Sequence, residues 1–185
     1  MAAWEVNRFI TINGSDSIVE LDDTATLTNK TLTAPIVNRS LLAVAREKWT
    51  VSSSAISTSS ATAVALDPYT VGTSAWIYTG NATNTWVPNF GHASLTNNEA
   101  SINTWLAVGE SLTVSVAAYI SNSAAFASQL KIDGQTAFTP NWQGALAPTS
   151  GNASSYDVYT YTIIKTAISS GTPTYVVYAA RTRFA

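Results

Sequence analysis

The sequence predicts an all-β protein: a jelly-roll-like antiparallel β-sandwich carried on a short, extended N-terminal arm. Three observations predict it. From Ser111 to Ile120, Leu112, Val114, Val116, Ala118 and Ile120 alternate with Ser111, Thr113, Ser115, Ala117 and Tyr119, the period of two that turns one face of a strand toward a core. Asn13-Gly14 and Asp133-Gly134 are dipeptides that accept the positive φ angles of a tight hairpin turn. Tyr156 to Thr166 and Thr174 to Phe184 are long runs rich in Tyr, Val, Ile and Thr, joined by Ser169 to Pro173, and are expected to pair as a closing hairpin.

The elements follow in order. Residues 1–46 carry charge at ordinary density (Glu5, Arg8, Asp16, Glu20, Asp22, Asp23, Lys30, Arg39, Arg46), and the chain after them is charge-poor, which places a boundary near Arg46. The first part, 1–46, reads as an attachment and oligomerisation arm and the second, 47–185, as a sandwich head. Within the arm, Phe9 to Ile12 and Ile18 to Leu21 flank the Asn13-Gly14 turn. Thr24 to Thr33 offers only Leu27 and Leu32 as large apolar groups. Strands this thin are stabilised when several copies wrap around one another, so an intertwined oligomer is expected. Ser40 to Trp49 predicts a short helix with Ser40 as its cap. In the head, Lys48 to Ile56, Thr62 to Leu66, Ala75 to Thr79, Thr85 to Val87, Leu130 to Ile132 and Thr136 to Phe138 join the three longer runs. The total is about eight or nine strands, at the turn spacing of a sandwich.

Composition bounds the function. A chain of 185 residues buries one core with a smaller appendage. Charged residues make up 11%, against the roughly 25% usual in soluble domains. Between Trp49 and Leu130 only Asp67, His92, Glu99 and Glu110 ionise near neutral pH. A net charge of −2 lacks the positive footprint that nucleic-acid binding requires. The absence of cysteine removes disulfides, thiolate metal sites and Cys nucleophiles together. Glu5 and Arg8 interrupt the first apolar stretch, so no signal peptide is read there, and no window approaches the roughly 18 to 20 apolar residues of a membrane span. The expectation is a protein made in the cytoplasm, with no cofactor and no membrane insertion.

Two stretches carry a resemblance. Thr26-Leu27-Thr28-Asn29-Lys30-Thr31-Leu32-Thr33-Ala34-Pro35 resembles a segment that recurs in tail-fibre-like structural proteins of bacteriophages. The ordered series Trp76 to Thr83, Val108 to Ser111, Ile132-Asp133-Gly134, Trp142-Gln143-Gly144, Gly151 to Ser155 and Tyr161 to Thr166 is similar to the β-rich C-terminal domain of cyanophage and marine-phage virion proteins. The closing strand departs from that pattern with an added tyrosine and with Arg181 and Arg183. The resemblance implies a virion structural protein, exposed on the particle and belonging to a tail or capsid fibre that attaches to host-surface glycans. Residues 1–46 would join it to other virion proteins. It implies no catalytic residues. A purely architectural decoration or neck protein is the second reading, and a glycan depolymerase the third.

The residues that bear on this choice are few. His92 is the only histidine, too isolated for a metal cluster or a triad, and a loop-anchoring imidazole is the plainer reading. Glu20, Asp22 and Asp23 cluster without the Gly-punctuated loop of a calcium site, so they read as a solvated acidic face. Asp67 precedes a proline, Glu110 starts a strand and Asp133 occupies a turn, roles that account for each. The tryptophans are the sharper feature. Trp76 with Tyr78, Trp86 and Trp142 lie beside Gly-, Asn-, Pro- or Thr-rich loops, where partly exposed rings stack on sugars, and Asn81, Asn84, Asn89, Asn141 and Gln143 supply amides. The opposing reading is that these rings pack across the sandwich or between subunits.

Overall fold

The computed structural model describes residues 10–11, 17–18, 48–56, 63–93, 99–135 and 138–184. The chain divides into two compact units, Met1–Ala45 and Arg46–Ala185. In the first, β1 (Ile10–Thr11) and β2 (Ser17–Ile18) pair antiparallel, Ile10 opposite Ile18, and the expected Asn13-Gly14 turn lies outside the described residues. The expected helix from Ser40 falls outside the described residues except at its end, where Trp49 begins a strand.

The second unit contains β3 (Trp49–Ser52), β4 (Ala63–Leu66), α1 (Pro68–Val71), β5 (Ala75–Ala82), β6 (Val87–Phe90), α2 (Ile102–Trp105), β7 (Ser111–Ile120), β8 (Lys131–Ile132), β9 (Asn141–Trp142), β10 (Ser155–Ser169) and β11 (Thr172–Arg183). They form a six-stranded sheet of order β3-β5-β7-β10-β11-β9 and a three-stranded sheet of order β4-β6-β8. The all-β class is therefore observed, with both helices reduced to a single turn.

Among the described strands of this unit, the expected antiparallel pairing holds for β7–β10 and β10–β11. β3–β5, β5–β7 and β9–β11 are parallel, as are β4–β6 and β6–β8. The reason lies in the path of the chain, which from β3 to β8 passes to the other sheet at every step and returns in the same direction. Each parallel pair within that winding is separated by a strand of the opposite sheet, and so has the long crossover that parallel pairing needs.

β7 spans the predicted Ser111 to Ile120, and its even-numbered residues Val114, Val116, Ala118 and Ile120 are buried. β10 and β11 pair along their length around Ser170-Gly171, both at positive φ, which suits a two-residue hairpin turn whose twist matches the strands. Asp133 and Gly134 also take positive φ, and the Leu130–Phe138 bridge closes their turn.

The two sheets share one core. Phe90 of β6 lies 5.4 Å from Tyr161 of β10 and 6.4 Å from Trp76 of β5, and Trp86 meets Tyr159 edge-on at 5.4 Å. Burial pushes the Tyr159 phenol up to about 12 and raises Tyr161 and Tyr175 as well. A raised phenol favours folding below its ordinary value and loses that contribution as the pH climbs through the folded value. Alkaline titration is thus expected to release these tyrosinates cooperatively above about pH 10, in step with loss of the β circular-dichroism signal. Absorbance at 295 nm checks it.

Candidate functional site

Asp133, read from sequence as a turn residue, is fully buried and ties three segments together. Its Oδ1 accepts from the backbone N–H of His92 (3.1 Å) and of Ile102 (2.9 Å). Its Oδ2 accepts from Ser101 Oγ (2.8 Å) and the Asn103 N–H (2.9 Å). The carboxylate so caps the start of α2, while the buried Lys165 donates through Nζ to the carbonyls of Asn103 (2.8 Å) and Leu106 (3.0 Å) at its end. One turn of helix leaves all its terminal N–H and C=O groups without helical partners, and this anion and cation satisfy several of them in the polarity the helix prefers. Asn89, also buried, accepts from the Gly134 N–H and donates to the His92 carbonyl. With both oxygens occupied twice, Asp133 is a structural latch and not an acid or base poised for a substrate.

Asp157 is the second buried carboxylate, 3.6 Å from Arg181. Burial raises its carboxyl above the usual range, with Arg181 and the Asn152 N–H opposing the shift. A raised carboxyl means that the folded protein holds the proton more tightly. Its contribution to folding is therefore complete below the ordinary value and is lost as pH rises through the folded one. Compared with Asp157→Asn, wild type should lose relative stability as the pH rises above the ordinary carboxylate range, as urea unfolding at a series of pH values would read. Arg181 and Arg183 both donate to the Ser150 carbonyl, so these added arginines hold a loop.

The tryptophans sort against the sugar-stacking expectation. Trp76 is 3% exposed, Trp86 is fully buried, and the half-buried Tyr78 packs on the same core. Strand geometry accounts for the first and third: Trp76 and Tyr78 lie opposite the buried Val116 and Ala118, on the inner face of the sheet. Trp86 is carried inward at the entry to β6, where its backbone N–H donates to the Phe126 carbonyl. Asn81 is exposed, but sits opposite Tyr119 at the far end of β5. Asn84 is exposed and Asn89 is spent in the latch. The structure therefore does not gather the predicted residues into one site.

It does bring Trp142 and Gln143 together. Trp142 is 8% exposed, its Nε1 donating to the Ser128 carbonyl (3.2 Å), and its ring packs inward on Tyr159 and Tyr161. It nonetheless borders a groove of about 400 Å³ formed with Asn141, Gln143, Thr160, Thr162 and Tyr178. β9 makes this groove by pairing with β11, which sets Asn141 opposite Tyr178, and Tyr178 lies in turn opposite Thr162. Tyr178 is 55% exposed, and Gln143 is exposed on a 3-10 turn, Gln143–Ala145. Every lining residue is uncharged. Sequence reading passed over Tyr178, whose one signal was its place among the β-branched residues of a closing strand.

A second depression of about 380 Å³ lies beside α1, bordered by Tyr69, Trp105 and Leu112. Tyr69 there donates to Glu99 Oε2 (3.2 Å). Among the described residues no three His, Cys, Asp or Glu side chains converge as a metal site, and no helix is long and apolar enough to cross a membrane. Glu20, Asp22 and Asp23 lie outside the described residues. No family model matches the chain, and no curated protein or solved structure matches it.

Proposed function

We propose that the chain is a structural subunit of a fibre-like appendage on a bacteriophage particle, and that it attaches to neutral glycans of the host surface. The virion assignment, the homotrimer and the joining of residues 1–46 to other virion proteins rest on the sequence resemblance. The observation that carries the attachment reading is the uncharged groove at Asn141, Gln143, Thr160, Thr162 and Tyr178. A neutral sugar presents an apolar C–H face and a rim of hydroxyls. The exposed Tyr178 ring suits the first, and amides and threonine hydroxyls suit the second. A groove this shallow binds weakly, and repeated copies on one particle multiply weak contacts into firm attachment.

A glycan array probed with the full chain tests the reading. Wild type is expected to retain neutral oligosaccharides. Tyr178→Ala, on an exposed strand position where folding is little affected, is expected to lose about tenfold in affinity or more, equivalent to about 1.4 kcal/mol. The architectural alternative draws on the burial of Trp76 and Trp86 and predicts no retained glycan at all.

A further inference from the structure

The groove does not end at Ala180. Alternation puts Tyr178, Ala180 and Thr182 of β11 on the outer face of the six-stranded sheet, opposite Thr162, Thr160 and Val158 of β10. The next residue outward on β10 is Tyr156, whose carbonyl accepts from the N–H of Phe184 and so continues the same ladder. Tyr156 is half-buried and meets Tyr119 of β7 edge-on at 5.3 Å, while Phe184 is 51% exposed. Two aromatic stations, Tyr178 at one end and Tyr156 with Phe184 at the other, are thus separated by six residues of strand, about 20 Å. The floor between them is low, with Ala180 and Thr160 already bordering the groove and Thr182 exposed beyond them. Asp157, Arg181 and Arg183 alternate to the other face, where both arginines donate to the Ser150 carbonyl, so no charge stands on the strip.

We infer that this strip is the continuation of the groove, and that its ligand is a linear neutral oligosaccharide laid lengthwise along β10 and β11. About four linked hexoses reach from the Tyr178 ring to the Tyr156 and Phe184 rings. The inference rests on the glycan reading above and adds the length of the ligand and its second contact. Hydrogen bonding decides the class of ligand. The backbone of β10 is paired with β7 on one side and with β11 on the other, so the strip offers no main-chain partner to a peptide laid on it. Its polar groups are hydroxyls instead. Thr160 bonds Ser115 (3.3 Å) and Thr162 bonds Thr113 (3.2 Å), and a hydroxyl with one donor and two acceptor sites keeps capacity for a sugar hydroxyl as well. The rings at the two ends suit the apolar C–H faces of two sugars in one chain.

Length dependence tests the inference. The full chain is titrated with α- and β-linked neutral gluco-, manno- and galacto-oligosaccharides, from the monosaccharide to the hexasaccharide. Affinity for the series that binds is expected to rise about tenfold or more from disaccharide to tetrasaccharide, and to change little from there to the hexasaccharide. Phe184→Ala, at an exposed position, is expected to lower tetrasaccharide affinity about fivefold and to leave disaccharide affinity unchanged. Tyr156→Ala should do the same, with circular dichroism checking that the sheet persists, whereas Tyr178→Ala should weaken both lengths. Equal affinity for disaccharide and tetrasaccharide, or a Phe184→Ala variant that loses neither length or both alike, would overturn the inference and leave the groove reading in place. Binding at no length would overturn both.

Discussion

Asp133→Ala is expected to lower the stability of the second unit by about 3–5 kcal/mol, a shift in melting temperature of roughly 10 °C or more. The substitution leaves the N–H groups of His92, Ile102 and Asn103 and the Ser101 hydroxyl buried without their acceptor. It also removes the anion opposite Lys165 at the other end of α2. Asp133→Asn is the informative companion. Each carboxylate oxygen accepts two hydrogen bonds, whereas an amide accepts on one side only and must turn its NH₂ toward two donors. The loss should therefore be large even though the shape is kept. Gly91→Ala should reproduce much of the effect from the opposite direction, because a Cβ there collides with Asp133 Oδ1 and the backbone stands at φ +86°. Thermal unfolding followed by circular dichroism measures all three.

Trp86→Ala is expected to cost about 3–5 kcal/mol, the penalty of emptying a fully buried indole site. The ring packs edge-on against Tyr159, which in turn stacks with Tyr161, so the cavity opens where the two sheets meet. Trp86→Phe keeps part of the packing and should cost less. A surface sugar platform would behave differently, since its removal lowers binding and leaves the melting temperature almost unchanged. Calorimetric melting of the variants separates the two roles.

These variants show what could be read from the chain and what could not. The boundaries of β7 and the β10–β11 hairpin were legible because alternation and turn dipeptides are local signals. Neighbour choice was not legible. A period of two tells which face a residue occupies but not whether the adjoining strand runs parallel, and the parallel partners of β5 come from residues 49–52 and 115–120. The tryptophans misled for a related reason. In Ala75 to Tyr78 both alternating sets are apolar, so the pattern does not say which one faces inward, and nearby Gly and Asn mark the loop without fixing the ring. Asp133 announced its turn, yet its donors lie 30 to 41 residues away in the chain. Trp142 and Gln143, expected from the sequence to contact a sugar, both border one groove, although the Trp142 ring itself packs inward. Tyr178 was missed because the groove exists only once the two-residue β9 docks beside β11.

The most direct test of the central claim, that this chain is an exposed appendage subunit of a virion, is immunogold electron microscopy of purified particles of a phage whose genome encodes it, with an antibody raised against residues 46–185. The account predicts label at the outer ends of fibres projecting from the tail or the capsid. Label spread evenly over the shell, or particles free of the chain by mass spectrometry, would contradict it.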